Sequence, residues 1–108
     1  RFRLRPNGDV ALRSRTLVFD WEDARGPDGI KMRNGLLFVA AGLNKPHPPY
    51  ETADKRKGGV YVLTPGGKLV DFVAVPKDEV TNCAFGGADG QTLYVTAGGT
   101  LWSIPLRP

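Results

Sequence analysis

The sequence predicts an all-β fold, the carboxy-terminal two-plus blades of a β-propeller, and three observations carry that reading. Short runs rich in Val, Leu, Thr, Tyr and Phe recur without any sustained helical period. Fourteen Gly and nine Pro among 108 residues put turn-formers between those runs. Above all, the chain repeats itself, and repeats decide architecture before local propensity does.

Three pairs of segments correspond. Arg1–Val10 answers Val60–Leu69, each an aromatic-containing strand followed by Pro6 or Pro65, a Gly turn and an aliphatic restart. Asn34–Gly42 answers Gly90–Gly98, and Gly58–Leu63 is echoed by Gly99–Ile104. The shared grammar is strand, Asn/Asp/Gly turn, strand, Gly-rich turn, strand, Pro-Gly turn, strand. Gly serves those turns because tight hairpins need positive φ, and Pro6 and Pro65 pre-set φ at the second turn position. Strands are accordingly expected near 1–5, where Arg alternates with Phe2 and Leu4, and near 15–19, 30–33 and 36–41. Beyond a long insert, Leu43–Lys57, they are expected near 60–64, 68–74, 82–86, 92–97 and 100–105.

Four short antiparallel strands repeating every ~40–45 residues describe a propeller blade. A blade needs a neighbour on each face, and six blades at that period need on the order of 250 residues. Residues 1–108 are therefore expected to form one partial propeller with no separate second domain. Most of the ring is expected upstream of Arg1, with Pro108 near the natural end, so the upstream blades are the expected structural partner. A small β-sandwich of about nine strands would show similar turn spacing, but it does not require the three-way repeat.

Composition removes several classes of function. The net charge is +4, but the one dense basic run, Lys55-Arg56-Lys57, lies in a polar stretch without interleaved aromatics, so it reads as a solvated loop and no nucleic-acid partner is expected. No stretch approaches the ~18 apolar residues that cross a bilayer, and Arg1–Arg5 alternates charge with bulk rather than reading as a secretory segment. No membrane partner is expected, and the compartment is left open. Cys83, the single cysteine, excludes an internal disulfide and reads as a small buried thiol.

Chemistry concentrates in Arg25-Gly26-Pro27-Asp28-Gly29, directly before the strand that opens with Ile30. The innermost strand of a blade lines the central channel, so Asp28 is expected at one mouth, as a hard oxygen donor of the kind Ca²⁺ takes. Pro-Asp-Gly is also among the commonest turn sequences, and on the motif alone a plain turn is the better account. Aligning the repeats puts Thr81-Asn82 where Asp28-Gly29 stands, which makes Asn82 a substrate-binding candidate, or simply a strand-opening residue that bonds its own backbone. His47, the single histidine, lies in Pro46-His47-Pro48-Pro49 and suits an exposed, lid-like loop.

Over nearly its full length the chain resembles the gluconolactonase / senescence marker protein (regucalcin-like) family of six-bladed propellers. Gly26–Ile30, Gly59–Leu69, Thr81–Gly87, Thr92–Thr96 and Leu101–Ile104 carry the resemblance, in the family's order. The resemblance implies a sugar-lactone hydrolase holding a divalent metal in the channel, most often Ca²⁺, with Zn²⁺, Mg²⁺ or Mn²⁺ as alternatives. It makes Asp28 a metal ligand, and also the catalytic base that takes a proton from the water opening the lactone to an aldonic acid. The family's other ligands, a Glu and an Asn, would lie upstream of Arg1, so activity is expected of the longer parent and not of residues 1–108 alone. Two readings stand beside the enzyme: a non-catalytic propeller used for binding, since fold never proves activity, and an independent basic β domain.

Overall fold

The structure, a computed structural model, describes residues 1–106. It opens with a hairpin, β1 (Arg3–Leu4) against β2 (Val10–Ala11), followed by one 3₁₀ turn at Leu12–Ser14. Next comes a four-stranded antiparallel meander in sequence order: β3 (Ile30–Arg33), β4 (Leu36–Ala41), β5 (Gly59–Leu63) and β6 (Leu69–Ala74). A second meander follows, β7 (Val80–Gly86), β8 (Thr92–Ala97) and β9 (Thr100–Pro105). Asn34 and Gly35, at φ of 50° and 74°, make the left-handed two-residue turn between β3 and β4. Gly98 and Gly99 make the same kind of turn between β8 and β9.

The repeats fall on equivalent strands. β4 and β8 are second in their sheets, β5 and β9 third, and β1–β2 corresponds to the outer hairpin β5–β6. The fold is all-β and blade-like, part of a β-propeller. Among the described residues no helix is long and apolar enough to cross a membrane.

Strand periodicity sends alternate residues to opposite faces, and the β3–β6 sheet uses both. On one face Ala40, Val60 and Val75 meet Val80, Cys83, Leu93, Val95 and Ala97 of the β7–β9 sheet and its approach. Phe38 meets Phe85 edge-on across that seam, with ring centroids 4.8 Å apart. The other face stacks Val39, Ala41, Tyr61 and Leu63 against Trp21, with Phe19, Leu37 and Phe72 around them. Burial of each aliphatic side chain in these layers contributes roughly 1.5–3 kcal/mol. Beside the second layer lies an open apolar groove of ≈ 670 Å³, lined by residues that include Phe2, Leu17, Ile30 and Met32.

Two expectations about strands need correction. Residues 15–19 form no strand: Arg1 and Thr16 exchange backbone hydrogen bonds at 2.7 and 2.8 Å, and no ladder continues beyond them, although Phe19 still packs on Trp21. The strand expected over 1–5 contracts to Arg3–Leu4, and its partner Val10–Ala11 is too short to show an alternating pattern. From Ile30 onward each expected strand is present, with ends shifted by at most two residues.

Leu93 is fully buried between the sheets, so Leu93→Ala should cost about 2–5 kcal/mol in urea unfolding, while Lys68→Ala, at an exposed turn, should stay within about 0.5 kcal/mol. Tyr61 gives a pH test. Its hydroxyl donates to the Lys57 carbonyl at 2.5 Å, and burial pushes the phenol up to about 12, against the opposing effect of the Arg56 charge. The folded state then keeps a proton that the unfolded chain releases near pH 10, so stability should fall as pH rises from 10 to about 12. A Tyr61→Phe variant should lack that component of the slope.

Candidate functional site

Asp28 lies two residues ahead of β3, the first strand of its sheet, and its backbone extends the β3–β4 hydrogen bonding. Asp28 N–H donates to Ala40 O at 2.9 Å, and Ala40 N–H returns to Gly29 O at 2.9 Å. Its carboxylate is half exposed, with Arg25 Nη2 4.0 Å from Oδ2. The next residue turns outward: Gly29 N–H crosses to the neighbouring sheet and donates to Thr81 O at 2.8 Å. A β-carbon on residue 29 would lie 2.1 Å from Asn82 Oδ1 and 2.7 Å from Asn82 Cα. The Gly of Pro-Asp-Gly is therefore needed for close approach between blades and not for positive φ.

Thr81 is the extra residue of a β-bulge, between the pairs Val80–Ala97 and Asn82–Thr96. Bulges re-aim side chains and gather near functional sites. This one leaves Asn82 exposed beside Gly29, with Oδ1 accepting from Cys83 N–H at 2.9 Å and from Lys31 Nζ at 3.4 Å. With Oδ1 so engaged, the Nδ2 donor has no partner among the described residues. Asp28 and Asn82 thus lie by adjoining first strands, at the same end of both sheets.

A second set of charges surrounds Asp28. Arg25 Nη1 is 3.0 Å from Glu79 Oε1 and 4.0 Å from Glu51 Oε2. His47 Nδ1 is 3.4 Å from that Glu51 oxygen and 4.0 Å from Glu79. Residues 25, 47, 51 and 79 come from three separate segments and meet only through the fold. Pairwise charge spacing along the chain gives no warning of it, beyond the adjacency of Arg25 to the Pro-Asp-Gly motif.

Segment 43–57 is mostly exposed, and it is tied down by hydrogen bonds at its base. Asp78 accepts from the backbone N–H groups of Asn44 and Lys45, each at 2.8 Å, and Asn44 Nδ2 donates to Val75 O at 2.8 Å. Leu43 N–H donates to Arg56 O at 3.0 Å, closing the base, and His47 and Glu51 exchange backbone bonds at 2.8 and 3.1 Å. Arg56 is half-buried, its guanidinium 4.9 Å from the Phe19 ring centroid. Cys83 is buried as expected; burial pushes its thiol up, with Lys31 opposing, which disfavours the thiolate a nucleophile needs.

The donor set fits one corner of a divalent-cation site. Asp28 offers a solvent-facing anionic oxygen, but no group of three or more His, Cys, Asp or Glu among the described residues could hold a metal. Ca²⁺ takes six to eight oxygens, so most would have to come from outside this stretch.

Residues 2–99 match the family model described as SMP-30/Gluconolactonase/LRE-like region. Among curated proteins, "Putative sugar lactone lactonase YvrE" of Bacillus subtilis (strain 168) is 34% identical over 94 residues, 83% of this chain and 27% of that protein. The 6-deoxy-6-sulfogluconolactonase of Pseudomonas putida is 37% identical over 76 residues, 70% of this chain and 23% of that protein. The chain thus spans about a quarter of the length of these relatives. No solved structure matches the chain at a significant level.

Gly29→Ala should force Asn82 aside and break the hydrogen bond to Thr81, costing about 1–3 kcal/mol in chemical denaturation. Gly26→Ala, where an added β-carbon meets nothing within 4 Å, should cost under about 0.5 kcal/mol. Equal effects at the two positions would mean that the inter-blade contact is not tight.

Proposed function

Because the chain belongs to the SMP-30/gluconolactonase/LRE-like family, we propose that it is the carboxy-terminal part of a metal-dependent sugar-lactone hydrolase in which Asp28 serves both as ligand and as base. The observation that carries this reading is the half-exposed Asp28 carboxylate, its backbone hydrogen-bonded just ahead of the first strand of its sheet and close to the exposed amide of Asn82. The lactonase names of the two relatives support the substrate class.

A divalent cation, Ca²⁺ first, would supply Lewis-acid polarisation of the lactone carbonyl and acidify a nearby water. Asp28 would hold that ion through one carboxylate oxygen and take the proton of the attacking water on the other. Water oxygen bonds to the acyl carbon, the ring C–O bond breaks, and the proton passes from Asp28 to the departing ring oxygen, giving the open hydroxy acid. Asn82 has its Oδ1 tied to Cys83 and Lys31, so Nδ2 is free to donate to a substrate oxygen. The tie fixes the amide's orientation before substrate arrives, which lowers the ordering cost of binding.

The apolar groove beside Ile30 and Met32 supports a structural partner as well. It is the surface that would receive the inner strands of the blade whose outer hairpin is β1–β2.

In the full-length protein, chelation should abolish hydrolysis of glucono-1,5-lactone and Ca²⁺, Mn²⁺, Zn²⁺ or Mg²⁺ should restore it. Asp28→Ala should lower kcat/KM by roughly 10²–10⁴ and weaken calcium binding measured by calorimetry. Unaltered calcium affinity would remove Asp28 from the ligand set, and a wild-type protein that binds sugar lactones without opening them would favour the binding-module reading.

A further inference from the structure

Resting on the lactonase reading, we infer that segment 43–57 is a specificity element of the same site, in which His47 and Glu51 bind substrate hydroxyls remote from the scissile carbonyl. Arg25 acts as the residue that positions them.

The segment is built to stay in place. Its base is closed by Leu43 and Arg56, and Asn44 and Lys45 are fastened to Asp78, two residues before β7 begins. Thr52 N–H donates to Asp23 O at 2.9 Å, which ties the far side to the stretch leading into Asp28. A loop fastened to the stretches that lead into both sheets keeps its side chains where a substrate would find them, at little ordering cost.

Those side chains face the candidate site through Arg25. One guanidinium lies within 4.0 Å of Asp28, Glu51 and Glu79 together, so the loop's charges and the Asp28 carboxylate share a single cationic hub. Without Arg25, three carboxylates would face one another across the mouth, and the loop would be repelled from it. His47 is 68% exposed and has Nδ1 turned to Glu51, leaving Nε2 without a partner among the described residues. With Nδ1–H directed at the Glu51 carboxylate, the neutral imidazole presents Nε2 as an acceptor beside carboxylate oxygens, a pair of acceptors that two neighbouring sugar hydroxyls can each donate to. The ligand chemistry that fits is a polyhydroxylated lactone, in preference to a bare aliphatic ring.

The test compares glucono-1,5-lactone with δ-valerolactone, which has the ring ester and no hydroxyls, in the full-length protein; valerolactone serves as competitor if it is not turned over. His47→Ala and Glu51→Gln should each raise KM, or Ki for the sugar product, by about 10-fold, the loss of one hydrogen bond of about 1.4 kcal/mol. The rise should exceed any fall in kcat and any effect on valerolactone by a similar factor. Arg25→Gln should give the same KM pattern together with faster proteolytic cleavage within 43–57, which a role confined to Asp28 would not produce. Equal losses on both lactones, or none, would overturn the specificity element while leaving the lactonase reading intact. A wild-type protein inactive on every lactone would overturn both.

Discussion

Everything at the candidate site depends on one backbone contact, the hydrogen bond from Gly29 N–H to Thr81 O between neighbouring sheets. Two innermost strands approach so closely there that a β-carbon has no room. The contact brings Asp28 and Asn82 to adjoining places without using either side chain, and leaves the Asn82 Nδ2 donor without a partner among the described residues. Groups placed by the backbone are organised before any ligand arrives.

Packing sustains that contact from behind. The seam between the sheets has an aliphatic centre, with Val60, Leu93 and Val95 at 0% exposure, flanked by the edge-on pair Phe38–Phe85 and crossed by the Cys83 thiol, which donates to Phe38 O at 3.6 Å. A sliding motion of one sheet over the other would disturb the seam and the Gly29 contact together, which makes the site a consequence of core packing. The charged network of Arg25, Glu51, Glu79 and His47 lies at the solvent margin, where pairs individually contribute little to stability. It joins segment 43–57 to the stretches that precede β3 and β7.

The sequence makes much of the fold legible and less of the site. Repeat pairs locate β4 with β8 and β5 with β9 because equivalent strands face equivalent environments and so carry equivalent patterns. Residues 15–19 mislead because Thr16-Leu17-Val18-Phe19 has strand composition and finds no ladder partner, and a strand is made by its neighbour as much as by its residues. Asp28 is legible from its Pro-Asp-Gly motif, and Asn82 because the repeat sets Thr81-Asn82 against Asp28-Gly29. Arg25, Glu51 and Glu79 are not, because their meeting depends on an insert that has no counterpart in the other unit. The order within that insert was equally hidden: the N–H groups that Asp78 accepts leave no trace in composition.

The bulge at Thr81 carries a consequence for how this region tolerates change in length. Val80 and Cys83 both point into the seam although three positions separate them, an odd spacing that a regular strand would send to opposite faces. One supernumerary residue restores the parity. Removing it would leave Val80 and Cys83 two positions apart and still on one face, but would take away the carbonyl that accepts from Gly29 N–H, so natural variation in this family should keep a residue here at the start of β7, while the tip of segment 43–57 can lengthen or shorten without disturbing the strands that flank it.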